Sequence, residues 1–428
     1  MNRRFGTFTL VWLGQLVSVV GSGLTSFALG VWLFERTGSV TYFALVGLFS
    51  VLPRIVLSPL AGSLVDRWDR RWMMIVSDSG AGFSTLALVF LLATGRLEVW
   101  HIYAISGVSA AFSTMQWPAY AAATTLLVAK EHLGRANGMI QFGRAAAEIL
   151  APTLAGLLVK TIQLEGVILI DSATFCFAVL TLLPVRFPAP VKPAGQARRS
   201  LWHEMTFGWR MISAQPGLRG LLSAFTATNF LWGMVGALIV PMILGFTSSE
   251  ALGFIISIAG AGMLAGSLVM SIWGGPKRRI DGVFGFEFIS GLCFMLIGLR
   301  PSFWPTAIGA FGAHVTIAIV SGSNQAIWQS KIEPGMQGRV FAAQHMIAGA
   351  ASPLAYLLAG PLADGVFEPL LASGQPLAGS IGHIVGTGPG RGIGLLFVLM
   401  GAVKLAVAAA GYAHPRVRFI EDELPDAV

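Results

Sequence analysis

The sequence predicts an all-α polytopic membrane protein with twelve transmembrane helices in two six-helix halves. Three observations lead to that class. Apolar residues make up 55% of the 428 and charged residues only 11%, against about 25% charge in an ordinary soluble chain. The apolar residues are gathered in long runs, and at about 20 residues per span the chain holds roughly a dozen spans with short connections. The string Ala61-Gly62-Ser63-Leu64-Val65 recurs as Ala265-Gly266-Ser267-Leu268-Val269, 204 residues later. A soluble protein of buried helices would need a charged outer face on each helix, and most of these runs have none.

The first span is expected near 8–34, preceded by Met1-Asn2-Arg3-Arg4. That start resembles a signal peptide, but it lacks a small-residue cleavage site and another span follows at once, so it reads as an uncleaved helix. Glu35 to Ser39 turns the chain into the second span, 41–64, interrupted by Pro53-Arg54 and Pro59. The knot Asp66-Arg67-Trp68-Asp69-Arg70-Arg71 follows, then spans at 73–94 and 99–127. The basic turn Lys130 to Arg135 precedes the fifth span, 137–159, and an outer turn from Lys160 to Gly166 leads to the sixth, 167–187. These six spans make an N-terminal half, 1–187.

Residues 188–216 are polar and basic and form the cytoplasmic linker; Trp202 to Ile212 has helical apolar spacing, as an amphipathic surface segment does. The second half, 217–414, repeats the plan with spans near 217–245, 250–273, 283–299, 303–329, 338–362 and 390–412. Phe367 to Pro389 is the one long outer connection, rich in Gly, Ser and Pro and expected to be flexible. The tail, 415–428, is basic and then acidic, with no domain of its own.

Orientation follows from charge placement. With an inward N-terminus, twenty of the 28 Lys and Arg residues fall on the inner side. Arg36, Arg96, Lys160, Arg300 and Arg391 fall outside, and Arg54, Arg144 and Lys404 within spans. Such a bias over short loops orients the chain with both termini cytoplasmic. Gly134-Arg135 and Gly338-Arg339 repeat the 204-residue offset, so six spans were duplicated. Parallel halves with a substrate held between them are one transporter plan.

Several classes are excluded. The net charge of +8 is dispersed in short clusters, so no nucleic-acid footprint exists. Cys176 and Cys293 both lie in apolar runs and read as small buried hydrophobes rather than a disulfide or metal pair. There is no nucleotide-binding loop and no metal-ligand cluster. No cofactor or enzymatic chemistry is expected, and energy has to come from a gradient.

The loop Gly62-Ser63-Leu64-Val65-Asp66-Arg67-Trp68-Asp69-Arg70-Arg71 resembles the signature between the second and third helices of the major facilitator superfamily. Asp69 stands where that signature usually has glycine. The second copy departs further: Met270 occupies the position equivalent to Asp66, so its acid is missing. Phe34 to Ser39, Leu127 to Gly138 and Glu204 to Arg210 are similar to the branch with macrolide efflux pumps and the enterobactin exporter. The resemblance implies the major facilitator fold, proton-coupled export of drugs or other amphipathic small molecules, alternating access and a bacterial inner membrane. A monomer in the lipid bilayer is expected. A siderophore or lysophospholipid transporter, or a scaffold or sensor without flux, is the alternative.

The candidate residues follow. Asp66, with Arg67, Arg70 and Arg71, is the expected gate, because acid–base pairs at a half-solvated helix end are made and broken cheaply; the alternative is that the arginines only set orientation. Glu148 and Asp171 are the proton-coupling candidates. Glu148 lies four residues after Arg144, one turn along the same helix face, and Asp171 is an isolated acid within a span. Gln15, Arg54, Gln116, Gln141, Arg144, Asn229 and Gln325 are candidates for a substrate cavity. Trp117, Phe230, Trp232 and Trp328 would supply its apolar walls. Asp78 and Glu287 rank lower, Arg54 is a possible partner of Asp171, and Lys404 is read as snorkelling to an interface.

Overall fold

The computed structural model describes residues 3–65, 69–128, 133–185, 201–372 and 379–425, and among them every regular element is helical. The chain divides into two compact units, Met1–Gln196 with Leu252–Ser257 and Ala197–Ala251 with Ile258–Val428.

The first unit is built from α1 (Arg3–Thr37), α2 (Val40–Val65), α3 (Arg70–Ala93), α4 (Val99–Leu127) and α5 (Leu133–Leu182). Ten described helical stretches are long and apolar enough to cross a membrane. One of them, Ala145–Leu182, has 38 residues, about 57 Å of helix against a hydrocarbon core of about 30 Å. It is two spans. The expected outer turn from Lys160 to Gly166 is reduced to a single break at Gln163, whose φ of 58° and ψ of −175° leave the helical region. The α4 helix, 29 residues long, supplies a further span-length element.

Hydrocarbon leaves no water for backbone N–H and C=O groups, so spanning segments close their hydrogen bonds internally as helices. Hydroxyls in the spans do the same. Ser84 donates to the Gly80 carbonyl at 2.8 Å and Thr226 to the Leu222 carbonyl at 2.8 Å, which hides a polar group against its own helix.

The second unit comprises α6 (Leu201–Ala214), α7 (Pro216–Leu244), most of α8 (Ser249–Trp273), α9 (Arg279–Leu299), α10 (Phe303–Lys331), α11 (Pro334–Gly349) and α12 (Ala351–Leu362), followed by a π-turn at Ala363–Phe367. Then come α13 (Glu368–Leu370), α14 (Gly382–Val385) and α15 (Arg391–Ala413). Two glycine pairs let α9 and α15 cross closely: Gly291 faces Gly401, and Gly298 faces Gly394. A methyl group added at Gly401 would stand 2.6 Å from the Gly291 carbonyl oxygen, and one at Gly291 would stand 2.9 Å from the Gly401 carbonyl oxygen. Small residues are what allow membrane helices to approach this far.

Two expectations change in this unit. The described ends of the outer connection are ordered: the Glu368 carboxylate accepts hydrogen bonds from the Gly390 and Ile393 amides at 3.1 and 2.9 Å, pinning the connection to the start of α15. The tail also folds, as α16 (Pro415–Arg418) and α17 (Ile420–Glu423), with Val417 and Ile420 buried in the core of the unit. Of the linker, α6 is described and residues 188–200 lie outside the described set.

Candidate functional site

Of the signature loop, Asp66 and Arg67 lie outside the described residues, and so does the side chain of Arg70. The rest of the loop is informative. Asp69 caps α3: its carboxylate accepts from the amides of Arg71 at 2.8 Å and Trp72 at 3.3 Å. A helix start has unpaired N–H groups and a positive dipole end, so an acid there is stabilising. That accounts physically for an aspartate where glycine is usual. Arg71 joins two helix ends. Its guanidinium donates to the carbonyls of Leu182, at 3.2 Å, and Leu183, tying the start of α3 to the end of α5.

The interior of the first unit carries two buried carboxylates. Asp78 on α3 accepts hydrogen bonds from Gln15 on α1, at 2.9 Å, and from Gln116 on α4. Gln116 also donates to the Gln15 side-chain carbonyl at 2.6 Å, closing a ring of three side chains. Asp171, on the arm of α5 after Gln163, accepts from Ser22 on α1 at 3.3 Å and Thr85 on α3 at 3.4 Å. Asp78 is 3% exposed and Asp171 4%.

These clusters are related by helix periodicity. Gln15 and Ser22 are seven residues apart on α1, and Asp78 and Thr85 seven apart on α3. Two turns return a side chain to nearly the same face about 10 Å further along. One polar seam between α1 and α3 therefore carries Asp78 at one level and the Asp171 site two turns away. Two of the expected cavity residues, Gln15 and Gln116, belong to this seam. Asp78, ranked lower from the sequence, is its centre.

The second unit holds a buried ion pair. Lys404 on α15 lies 2.6 Å from the Glu287 carboxylate on α9, with their side chains 1% and 8% exposed. The Phe294 and Trp232 rings stand 5.1 and 5.8 Å from the ammonium, within reach of a cation–π attraction. The His314 ring packs edge-on against Trp232 at 5.1 Å. Lys404 is thus a buried ion-pair partner and does not snorkel to an interface.

The other candidates separate. Glu148 is exposed, and its neighbour Arg144 has no described side chain, as is true of Gln141 and Trp117. Arg54 is exposed, and Asp171 accepts from hydroxyls, so the expected Arg54–Asp171 partnership is replaced by Ser22 and Thr85. Asn229 turns back onto its own helix, donating to the Phe225 carbonyl at 2.8 Å. Gln325 is half-buried. Trp328 is fully buried and donates to Asn324 at 3.2 Å, so it belongs to the core and not to a pocket wall. Phe230 does line a groove along α7, with Trp209, Arg219, Thr226, Leu354 and His414. Both cysteines are free, and Cys176 is exposed rather than buried. Among the described residues no cluster of His, Cys, Asp and Glu could hold a metal ion.

Comparison with known proteins agrees with this architecture. The chain is 28% identical over 373 residues to macrolide efflux protein A of Streptococcus pyogenes, covering 86% of this chain and 92% of the relative. It is 24% identical over 396 residues to the multidrug efflux pump Tap of Mycolicibacterium fortuitum, covering 88% and 94%. Among solved structures, a bacterial homologue of the human lysosomal transporter Spinster, inward-facing and unoccupied, superposes with a TM-score of 0.71 at 14% identity, covering 99% of both chains. A bacterial homologue of the iron transporter ferroportin, inward-facing, gives 0.67 at 15% identity, covering 95% of this chain and 98% of that one. Residues 11–356 match the model of the Major Facilitator Superfamily, and the chain, a multi-pass membrane protein with that fold, belongs to this family of transporters.

Proposed function

We propose that this chain is a proton-driven exporter of drugs or other amphipathic small molecules, working by alternating access as a monomer in a bacterial inner membrane with both termini cytoplasmic. The observation that carries the coupling is the α1–α3 seam, where two buried carboxylates accept hydrogen bonds from neutral amides and hydroxyls. A carboxylate sealed in an apolar span without an opposing cation is costly when charged. It can take up a proton on one side of the membrane and release it when the surrounding helices rearrange. In this reading Asp171 is the coupling carboxylate and Asp78 the second proton site, two turns away along the same seam. Glu148, exposed on the first arm of α5, is a station where a proton or a cationic substrate is met.

The substrate class rests on two things. Relatives of this chain bear the names macrolide efflux protein and multidrug efflux pump. The groove along α7 combines the apolar Phe230 and Leu354 with the polar Arg219, Thr226 and His414, a lining suited to a molecule with both characters. The six-helix halves 1–187 and 217–414, joined by the linker 188–216, are the moving bodies. Asp66 with Arg67, Arg70 and Arg71 forms the gate on the first of them.

The test is an efflux screen in a pump-deleted bacterial strain across macrolides, dyes and siderophores, with and without a protonophore. The reading expects macrolide or dye export that stops when the proton gradient collapses. Export of siderophores alone would replace the substrate class, and export indifferent to the gradient would sink the coupling.

A further inference from the structure

The duplicated plan has one gap. Met270 stands where the second loop copy would carry the counterpart of Asp66, and no acid of that loop caps the following helix. The first copy does have such a cap, Asp69 on the opening amides of α3. Its counterpart in the repeat, α9, begins after Pro276-Lys277-Arg278 with Arg278 at the cap position and no side-chain cap bond from it.

The missing carboxylate comes from the other end of the second unit. Glu421 of the tail sits on the start of α9, its two oxygens accepting from the Arg279 amide at 3.1 Å and the Ile280 amide at 2.9 Å. Around it the tail is held at three more points. Arg278 donates to the Arg418 carbonyl at 2.9 Å and meets the Asp422 carboxylate at 3.5 Å. The Lys331 ammonium at the end of α10 donates to the Glu421 and Leu424 carbonyls at 2.6 and 2.5 Å. On α7, a methyl group added at Gly217 would stand 2.6 Å from the Arg416 carbonyl oxygen, so that helix is cut back to seat the tail. Val417 and Ile420 are 2% and 0% exposed, packed with Leu218, Ile280 and Ile332.

We propose that the tail, 415–425, is the latch of the second unit, and that Glu421 is a positioning residue for transport. It replaces the helix-capping acid that the second loop copy lacks, and through it the tail locks the neighbouring ends of α7, α9 and α10 into one block. This role in transport rests on the alternating-access reading, in which such a block has to move as a unit. A carboxylate fits this role because it satisfies two unpaired helix amides at once and lies at the positive end of the helix dipole.

The experiment uses the full chain carrying Cys176→Ser and Cys293→Ala, with Ile280→Cys as a reporter beneath the tail. Maleimide labelling of that thiol reads the latch. Combined with Glu421→Ala, labelling is expected to accelerate at least tenfold; with Glu421→Gln, which keeps an acceptor oxygen, it stays within about threefold of the parent. Export of erythromycin or ethidium, whichever the unmodified chain transports, reads the consequence. Glu421→Ala is expected to lower the maximal rate at least threefold with the half-saturating concentration unchanged, and Glu421→Gln to recover most of it. Unchanged labelling in Glu421→Ala overturns the latch. Faster labelling with an unchanged maximal rate overturns its role in transport. Should the unmodified chain export neither probe, the efflux reading fails by itself and labelling alone decides the latch.

Discussion

Replacing Lys404 by methionine isolates the energetics of the buried pair in the second unit. The ammonium lies 2.6 Å from Glu287, and the two side chains are 1% and 8% exposed. Methionine keeps most of the volume of the lysine stem and leaves a carboxylate enclosed by α9 and α15 without its partner. Breaking a buried pair from one side costs about 3–5 kcal/mol, whereas removing both charges together is often neutral or stabilising. Loss of the cation–π contacts with Phe294 and Trp232 adds at most about 2 kcal/mol, and both variants share it. The single variant should therefore be the outlier: roughly a hundred- to several-thousand-fold less favourable folding, with Glu287→Gln/Lys404→Met returning close to the parent. Thermal denaturation of detergent-solubilised full-length protein, followed by size-exclusion chromatography, ranks the four members of the double-mutant cycle. Lys404→Met as stable as the parent, or a double variant less stable than either single one, would refute the reasoning.

The remaining predictions touch other links in the chain. Asp171→Asn keeps acceptor geometry for Ser22 and Thr85 but cannot cycle a proton, so gradient-driven export should fall at least tenfold while membrane insertion is unchanged; wild-type export at equal protein level rules out Asp171 as the coupling group. Asp66→Ala should likewise insert normally and stop transport, as vesicle flux assays would show. Gly401→Ala places a methyl 2.6 Å from the Gly291 carbonyl oxygen and should destabilise the α9–α15 crossing by about 1–3 kcal/mol, read as a lower denaturation midpoint. Gln163→Gly relieves a residue at φ 58° and ψ −175°, a region that costs a side chain about 1–3 kcal/mol, and should raise that midpoint.

The fold was legible because lipid makes sequence simple. Long apolar runs need internally bonded backbone to cross hydrocarbon, and the runs correspond to helices of span length. The exceptions fall where local pattern gives way to tertiary contact. Lys160 to Gly166 carries the polar residues of an ordinary turn, yet the chain passes through with one distorted residue, Gln163. The tail looked like a charged terminus because two arginines are followed within a few residues by three consecutive acids. Only the fold shows that Arg278, Lys331 and the α9 amides are waiting for its carboxylate and carbonyl groups.

The site was legible in its parts and not in its pairings, and the reason is geometric. Gln15, Gln116 and Asp171 stand out as polar groups within spans, but nothing local says that Gln15 and Gln116 converge on Asp78 across three helices. The Glu287–Lys404 pair did leave a usable trace, since depth can be counted. Glu287 lies eight residues from the start of α9 and Lys404 nine residues from the end of α15, about 12 and 14 Å of helix. In an up-and-down bundle those two helix ends lie on the same side of the membrane, so two opposite charges of one half sit at matching depth. Isolated charges in lipid seek partners at their own level. Applied to the first half, the same count gives Asp78 eight residues into α3, a comparable depth, yet its partners are amides rather than a cation. One half thus pairs its buried acid with a fixed positive charge, and the other surrounds its buried acids with amides and hydroxyls. This asymmetry is what the proposed coupling through the first half rests on.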